Sequence, residues 1–207
     1  MKHIILACTL TLTAVTTAHA ETKMFPNSAR LATVSGIQLT TTQRKSYQQF
    51  RAQRVYFGAF YVREGTDFTG DTINFHSFDT AKAAARKYCE AASGGKSCIL
   101  YAVTYPQGVD PNAKGLAGFS QPAAKDFKGR YKREQIKGKY GAFSLNGAHG
   151  YGISSGWKSA AAAREAALSY CKADSAQALA PLGIEGSKWA LARGLEKCRV
   201  VDTHTPD

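Results

Sequence analysis

The sequence predicts an α+β protein made of two related β-β-α-β units, each with one helix and one cysteine bridge. Three observations support this prediction. Two stretches of the chain repeat the same features in the same order, each contains an alanine-rich helical pattern, and each ends with a cysteine that leads a short apolar run. A duplicated unit explains this recurrence better than coincidence does.

The first twenty residues predict an exported protein. Lys2 and His3 form a positive start, residues 4–15 form an apolar stretch, and Ala-His-Ala at residues 18–20 suits a signal peptidase. The apolar stretch is too short to span a bilayer, and no later segment reaches that length. Cys8 faintly resembles a lipoprotein cysteine but lies too close to Met1. We expect a signal peptide at residues 1–20, cleaved near Ala20, and a periplasmic or secreted protein without a transmembrane segment.

The two units occupy residues 55–104 and 139–204. Each begins with an aromatic residue and Gly-Ala-Phe, and continues with a glycine-containing turn, a second short strand, an alanine-rich helix and a returning strand. The second strands are expected at residues 72–75 and 151–154. Asp79 and Ser159 are expected to cap the two helices, because their side-chain oxygens can accept from first-turn amides. The units are expected to share one sheet, or to pair antiparallel or mixed sheets, with the helices against a face.

Four cysteines remain once residues 1–20 are removed, and an even count in an oxidising compartment favours disulfides. Cys89 and Cys171 end the predicted helices, whereas Cys98 and Cys198 begin the returning strands. We therefore predict one bridge within each unit, Cys89–Cys98 and Cys171–Cys198. A metal site is the alternative, but neither pair has the short spacing or the nearby histidine typical of zinc. The sequence predicts no metal and no cofactor.

The positive charge is concentrated in two segments that the units do not share. Without Lys2, the 27 lysines and arginines become 26 against 15 acidic residues, so the mature net charge is +11. Such a balance favours contact with anionic surfaces, and nucleic acid is not an expected partner. Residues 21–54 form a basic N-terminal segment, and residues 105–138 form a basic, proline-containing connector. The candidate contacts to an anionic partner are Arg44, Lys45, Arg51, Arg54, Lys125, Lys128, Arg130, Lys132, Arg133 and Lys137; the alternative is a solvated basic face with its aromatic residues in the core.

One short motif allows an enzymatic interpretation. Residues 152–156 read Gly-Ile-Ser-Ser-Gly, which matches the nucleophile elbow of serine hydrolases at Ser154. Asp174 or Asp202, together with His204, would complete the chain order of a catalytic triad. The helix nevertheless begins several residues too late for an elbow, and such matches are common in glycine-rich turns. A tight turn at residues 152–156 is therefore the preferred interpretation, and the scattered His76, His149 and His204 are expected in surface or core roles.

The second unit carries a family-like pattern. It combines an aromatic residue with Gly-Ala, Gly150-Tyr151, Trp157, an Ala-Ala-Leu-x-x-Cys helix end and a closing Cys-x-Val-Val. This pattern resembles a family of small exported bacterial domains of unknown function, and the first unit matches it more loosely. The resemblance implies a disulfide and an extracytoplasmic location. It implies no activity, so no catalytic residue follows from it.

The expected function is that of an exported, non-enzymatic binding or interaction module. The expected partner is an anionic component of the bacterial envelope, such as a glycan or a lipid headgroup, or a partner protein. Two alternatives stay open: a serine hydrolase that uses Ser154, and an inhibitor or immunity-type protein that acts against an envelope enzyme.

Overall fold

The computed structural model describes residues 22–180 and 183–206. The predicted signal peptide at residues 1–20 lies outside these ranges. The helices and antiparallel sheets make an α+β protein, as predicted. In chain order the elements are β1 (Ala29–Thr33), α1 (Thr41–Ala52), β2 (Gly58–Val62), β3 (Thr69–Thr72), α2 (Phe78–Ala92), β4 (Ile99–Pro106), α3 (Gln121–Asp126) with a π-helical continuation (Phe127–Tyr131), β5 (Tyr140–Leu145), β6 (Tyr151–Trp157), α4 (Ala160–Leu179), α5 (Gly183–Ala192) and β7 (Arg199–His204).

The first sheet has the strand order β1-β4-β2-β3, and its neighbouring strands are antiparallel. Helix α2 packs across β2 and β3. Its residues Ala81, Ala84 and Ala85 are fully buried, because their small side chains let the helix lie close to the sheet. A Cβ on Gly70 would meet the backbone of Ala85 and Cys89. Glycine on β3 is therefore part of this close packing.

The second sheet has the strand order β6-β5-β7 and is also antiparallel. Helix α4 covers one face, where Ala163 and Ala167 are fully buried. A Cβ on Gly152 would meet the backbone of Ala167, as one on Gly70 would meet α2. The opposite face carries Phe143, whose ring contacts the π-helical continuation of α3 through Phe127 at a centroid distance of 5.2 Å. The second sheet is thus covered on both faces.

The two sheets correspond strand for strand, with β2, β3 and β4 matching β5, β6 and β7. The pairing of the central strand with the returning strand is irregular after Phe60 in β2 and after Phe143 in β5. These matches support the interpretation of two related units. Each unit nevertheless forms its own sheet, so the expectation of one shared sheet is not met. The fourth strand of the first sheet is β1, which comes from the N-terminal segment.

Both disulfides have the predicted pairing. Cys89–Cys98 and Cys171–Cys198 each join a helix to the strand that returns after it, with a Cα–Cα distance of 6.1 Å in both cases. These four cysteines are therefore not metal ligands.

Two local predictions about helix starts have different outcomes. Ser159 caps α4 as predicted, and its side chain accepts from the backbone N–H of Ala162. The prediction that Asp79 caps α2 is wrong. Helix α2 begins at Phe78, and Ser77 is its N-cap, accepting from the N–H of Thr80. The helix begins earlier because Phe78 is buried in the core, which places Asp79 inside the first turn.

The two unshared segments are both structured and packed against the units. Helix α1 of the N-terminal segment begins with a capping box formed by Thr40 and Gln43. The fully buried Gln43 also donates to the carbonyl oxygens of Arg63 and Phe68, which ties α1 to the turn between β2 and β3. The connector places α3 against the second sheet. Among the described helices, none has the length and apolarity needed to cross a membrane.

The two units meet around a buried histidine. His76 is 1% exposed, its Nδ1 lies 3.1 Å from the carbonyl oxygen of Asn146, and its Nε2 lies 3.1 Å from the hydroxyl of Ser120. Because a carbonyl only accepts, Nδ1 carries the proton and Nε2 accepts from Ser120. Burial lowers the pKa of His76 to about 3. The neutral imidazole thus joins the first unit, the connector and the second unit.

Candidate functional site: a basic helix beside an open cleft

Residues 121–133 form one continuous helix, which we call the basic helix. Ser120 caps it, and Pro122 lies in its first turn, where the missing N–H costs nothing. Ala123, Phe127 and Tyr131 recur every four residues and therefore line one face. This face packs on Phe143 of the second sheet. The rest of the helix is left to solvent.

The exposed side of the basic helix carries five of the ten predicted binding residues, and Lys137 follows four residues after the helix ends. All six predicted residues of the connector are exposed, and we call them the basic face: Lys125, Lys128, Arg130, Lys132, Arg133 and Lys137.

Carboxylates compensate only part of the charge of the basic face. Arg130 pairs with Glu134 at 3.0 Å, and Lys132 pairs with Asp202 at 3.3 Å. Within residues 22–180 and 183–206, the other four members (Lys125, Lys128, Arg133 and Lys137) have no carboxylate oxygen within 4.0 Å. These four cations therefore keep an uncompensated charge at the surface, where an anionic partner can reach them.

An open cleft of about 720 Å³ lies beside the basic helix. Strand β6 forms its floor, Arg130 comes from the basic helix, Glu134 directly follows that helix, and Tyr170 and Asp174 come from α4. Two aromatic side chains at this cleft are well exposed, Trp157 at 37% and Tyr170 at 53%. The cleft therefore combines ionic groups with exposed aromatic rings, which is typical of sites that bind polar organic ligands.

The floor of the cleft is a sheet edge. Strand β6 is the outer strand of its sheet. Its Tyr151 N–H points away from β5 and donates to the carboxylate of Asp174 at 3.1 Å. Because alternate residues of an antiparallel strand direct their backbone groups to the same side, the N–H and C=O of Ile153 also point into the cleft. These backbone groups are available to a ligand.

Tyr151 is held as a neutral hydrogen-bond donor. Its hydroxyl donates to Asp126 at 2.8 Å. Burial raises the pKa of Tyr151, and the bond to Asp126 and the negative charge of that carboxylate raise the pKa further. The ring of Tyr151 also stacks on Phe143 at 5.7 Å between centroids. Tyr151 thus fixes one end of the cleft and does not supply an ionised group.

The hydroxyl of Ser154 is buried, and it both donates and accepts a hydrogen bond within the protein. Ser154 is 3% exposed, and its Oγ donates to the carbonyl oxygen of Ala163 at 2.7 Å and accepts from the N–H of Ala142 at 3.0 Å. In the first unit, Thr72 donates in the same way to Ala81 at 2.9 Å. Both hydroxyls attach an outer strand to the first turn of a helix, which is a structural role.

The residues proposed for a catalytic triad with Ser154 are not assembled. Ser154 and Thr203 both lie opposite Ala142, so they share the face that packs on α4. His204 follows Thr203, and its side chain therefore points to the other face of the sheet. Asp202 pairs with Lys132, and Asp174 holds the N–H of Tyr151. The tight-turn interpretation of residues 152–156 is also wrong, since they lie within β6.

The basic residues of the N-terminal segment lie elsewhere. Arg44, Lys45, Arg51 and Arg54 are exposed on or just after α1, which contacts β2 and β3 of the first sheet. The basic helix contacts β6 of the second sheet. The two predicted groups of cations therefore rest on different sheets. Of the predicted cations, Arg130 of the connector borders the cleft along β6, and none of the N-terminal group does.

The first unit has an equivalent, smaller cleft. It has a volume of about 470 Å³ and lies along β3, which corresponds to β6. Tyr88 lines it, and Tyr88 precedes Cys89 as Tyr170 precedes Cys171. His149 also borders this cleft, while His76 is buried between the units and His204 lies on β7. In the part of the chain that the structure describes, no three His, Cys, Asp or Glu side chains are grouped to hold a metal ion.

Sequence reasoning missed Trp157 and Tyr170 as cleft residues. The repeat contains a usable signal for Tyr170, because an aromatic residue directly precedes the helix cysteine in both units. No such signal marks Trp157, whose position at the cleft follows from the strand edge. The chain matches no family model, no curated protein and no solved structure.

Proposed function

We propose that this protein is an exported, non-enzymatic module that binds an anionic glycan of the bacterial envelope. The observation that carries the proposal is the basic face: four of its exposed cations have no carboxylate partner among the described residues, and another member, Arg130, borders an open cleft. A linear polyanion would lie along the basic helix, and one of its sugar units would enter the cleft. The proposal assigns no catalytic residue.

Electrostatics supports the basic face as the main contact. Each lysine or arginine near an anionic surface contributes about 1 kcal/mol at physiological salt. Lys125, Lys128, Arg133 and Lys137 together would therefore supply up to about 4 kcal/mol, less what salt screens. Binding of this kind releases counterions and weakens as salt rises. The net charge of +11 after loss of Lys2 assists the approach of a polyanion from a distance.

The cleft supports a glycan over a simple anion. Aromatic rings such as Trp157 and Tyr170 offer flat apolar faces on which the C–H side of a sugar ring can pack. Asp174, Glu134 and the open backbone groups of Ile153 offer hydrogen bonds to hydroxyls. A second cleft, of about 410 Å³, lies on the other flank of the basic helix and is lined by Lys125 and Lys128. A long polymer has room on both flanks.

The test is a binding titration of the exported, oxidised protein with heparin as the anionic glycan and dextran as the neutral control. The test variant replaces the four uncompensated cations of the basic face: Lys125→Gln, Lys128→Gln, Arg133→Gln and Lys137→Gln. The matched control variant removes the same charge from α1: Arg44→Gln, Lys45→Gln, Arg51→Gln and Arg54→Gln.

We expect salt-sensitive binding of heparin, no binding of dextran, at least a tenfold loss in the test variant and a much smaller loss in the control. Equal losses in both variants would show that only bulk charge matters and would contradict a site on the basic helix. A parallel titration with phosphatidylglycerol vesicles distinguishes binding of a glycan from binding of a lipid headgroup. Trp157→Ala with Tyr170→Ala is expected to weaken heparin binding and leave vesicle binding unchanged.

A further inference from the structure

The two units differ in the number of strands beside the returning strand. In the first sheet β4 lies between β2 and β1. In the second sheet β7 pairs with β5 on one side, and no strand of the described residues pairs with it on the other. The place that β1 takes in the first unit is thus unfilled, within the described chain, in the second.

The correspondence between β4 and β7 extends to single residues. Thr104 lies opposite Gly58 in the first sheet, and His204 lies opposite the equivalent Gly141 in the second. Each β7 residue therefore carries the number of its β4 counterpart plus 100. Strand β1 pairs with residues 102–106 of β4, so an added strand would pair with residues 202–206.

The backbone groups that face the open edge follow from the first sheet. The N–H of Val34 donates to the carbonyl of Tyr101 at 2.8 Å, and the N–H of Gln107 donates to the carbonyl of Ser28 at 3.0 Å. Alternate residues of β4, beginning with Tyr101, therefore face β1. By correspondence, Thr203 directs its N–H and C=O groups to the open edge of β7, and Thr205, which directly follows the last residue of β7, would do so in a strand extended by pairing. Such an edge is a template for an added strand.

Charges on both faces of the second sheet indicate what kind of strand fits. On the α4 face, the guanidinium of Arg164 donates from Nε to the hydroxyl of Thr203 at 3.1 Å. On the other face, Lys132 lies 3.3 Å from Asp202, the one carboxylate of β7. Arg199 is exposed at the start of the strand. A strand added here would meet the guanidinium of Arg164 on the α4 face, whereas Asp202 already balances the charge of Lys132 on the other face. The remaining cation favours acidic side chains.

We propose that the open edge of β7 binds an extended, acidic segment of a partner protein as a fourth, antiparallel strand. The first unit provides the template, since β1 already adds to β4 in this way. A second copy of this chain fits less well, because its net charge is strongly positive and its own β1 contains Arg30. The site is separate from the basic face and its cleft, and it does not depend on glycan binding.

The experiment uses the exported, oxidised protein and a nine-residue peptide that alternates glutamate and valine. Two control peptides alternate lysine and valine, or carry N-methyl groups on the alternate amides that would donate to β7. Amide shifts and hydrogen exchange are measured by NMR spectroscopy. In the free protein, the amides of Thr203 and Thr205 are expected to exchange at least tenfold faster than those of their counterparts Val103 and Tyr105.

The acidic peptide is expected to shift the amide resonances of Thr203 and Thr205 and to protect these amides from exchange. The lysine peptide is expected to bind at least fivefold more weakly, and the N-methyl peptide is expected not to bind. Arg164→Gln is expected to weaken the acidic peptide severalfold. The variant that replaces four residues of the basic face, which tests glycan binding, is expected to bind the acidic peptide as the unsubstituted protein does. Prior protection of Thr203 and Thr205 in the free protein, dimerisation through β7, or shifts confined to the basic face would each overturn the proposal.

Discussion

Acidification is expected to destabilise the protein through His76, the histidine buried between the two units. The neutral ring is 1% exposed and hydrogen-bonded through both nitrogens, and burial holds its pKa at about 3. Burial is the main cause of this low pKa, electrostatic interactions with His149 and Arg199 contribute to it, and the hydrogen bond to Asn146 opposes it. In the unfolded chain the same imidazole titrates near its ordinary value of 6.5.

The sign of the effect follows from proton binding. Between pH 6.5 and about 3 the unfolded state holds a proton on His76 that the folded state lacks, so stability falls as pH falls through this window. The loss is about 1.4 kcal/mol per pH unit once the unfolded imidazole is fully charged. Between pH 7 and pH 4 it amounts to about 3 kcal/mol.

Urea unfolding, followed by tryptophan fluorescence at several pH values, measures this loss. The control is His76→Gln, which keeps an amide able to hydrogen-bond but does not titrate. Its absolute stability is expected to be lower, so the comparison is between pH slopes. Other groups, mainly carboxylates, contribute equally to both proteins. The free energy of unfolding of the unsubstituted protein should fall by about 3 kcal/mol more than that of the variant. Identical slopes would refute the assignment of a buried, neutral His76.

Two further predictions concern local structure. Replacing each disulfide by two alanines is expected to lower the free energy of unfolding by about 2.7 kcal/mol for Cys89–Cys98 and about 3.6 kcal/mol for Cys171–Cys198. The second loss is larger because that bridge closes the longer loop. Chemical denaturation measures both losses, and a larger loss from Cys89–Cys98 would contradict this prediction. Ser154→Ala is expected to lower the free energy of unfolding by about 1 to 2 kcal/mol, since it removes buried hydrogen bonds at Ala142 and Ala163. A fluorophosphonate probe should not label the unsubstituted protein; labelling that disappears in Ser154→Ala would restore the hydrolase interpretation.

Much of the secondary structure could be predicted because its signals are local. The alanine-rich runs of α2 and α4 and the serine cap at Ser159 act within a few residues. The prediction that Cys171 ends a helix is wrong, because α4 continues to Leu179. The same helix signals occur in both repeats of the sequence, and each occurrence supports the other. At α2 the local capping signal predicted the wrong residue, because Ser77 and not Asp79 is the N-cap. Burial of Phe78 decides the helix start there, and burial depends on residues far away in the sequence.

The candidate site could be predicted only in part. The charges of the connector mark the basic face, because its lysines and arginines outnumber its acidic residues, a surplus that can be counted in the sequence. Their arrangement on one side of a helix follows from Ala123, Phe127 and Tyr131, whose burial against the second sheet is a tertiary contact. The cleft along β6 has no local signal, since it results from the position of β6 at the edge of a sheet.

The sequence alone was enough to predict an α+β protein and the pairs Cys89–Cys98 and Cys171–Cys198, because strand, helix and loop signals are local. Only the tertiary structure decided how the units are completed. Strand β1 adds to β4 from a segment that the repeat does not include, whereas β7 has no such neighbour among the described residues. Strand parity likewise places Ser154 and His204 on opposite faces of one sheet. Edges and faces depend on pairing between distant segments, and that pairing is decided by long-range packing and not by any short stretch of sequence.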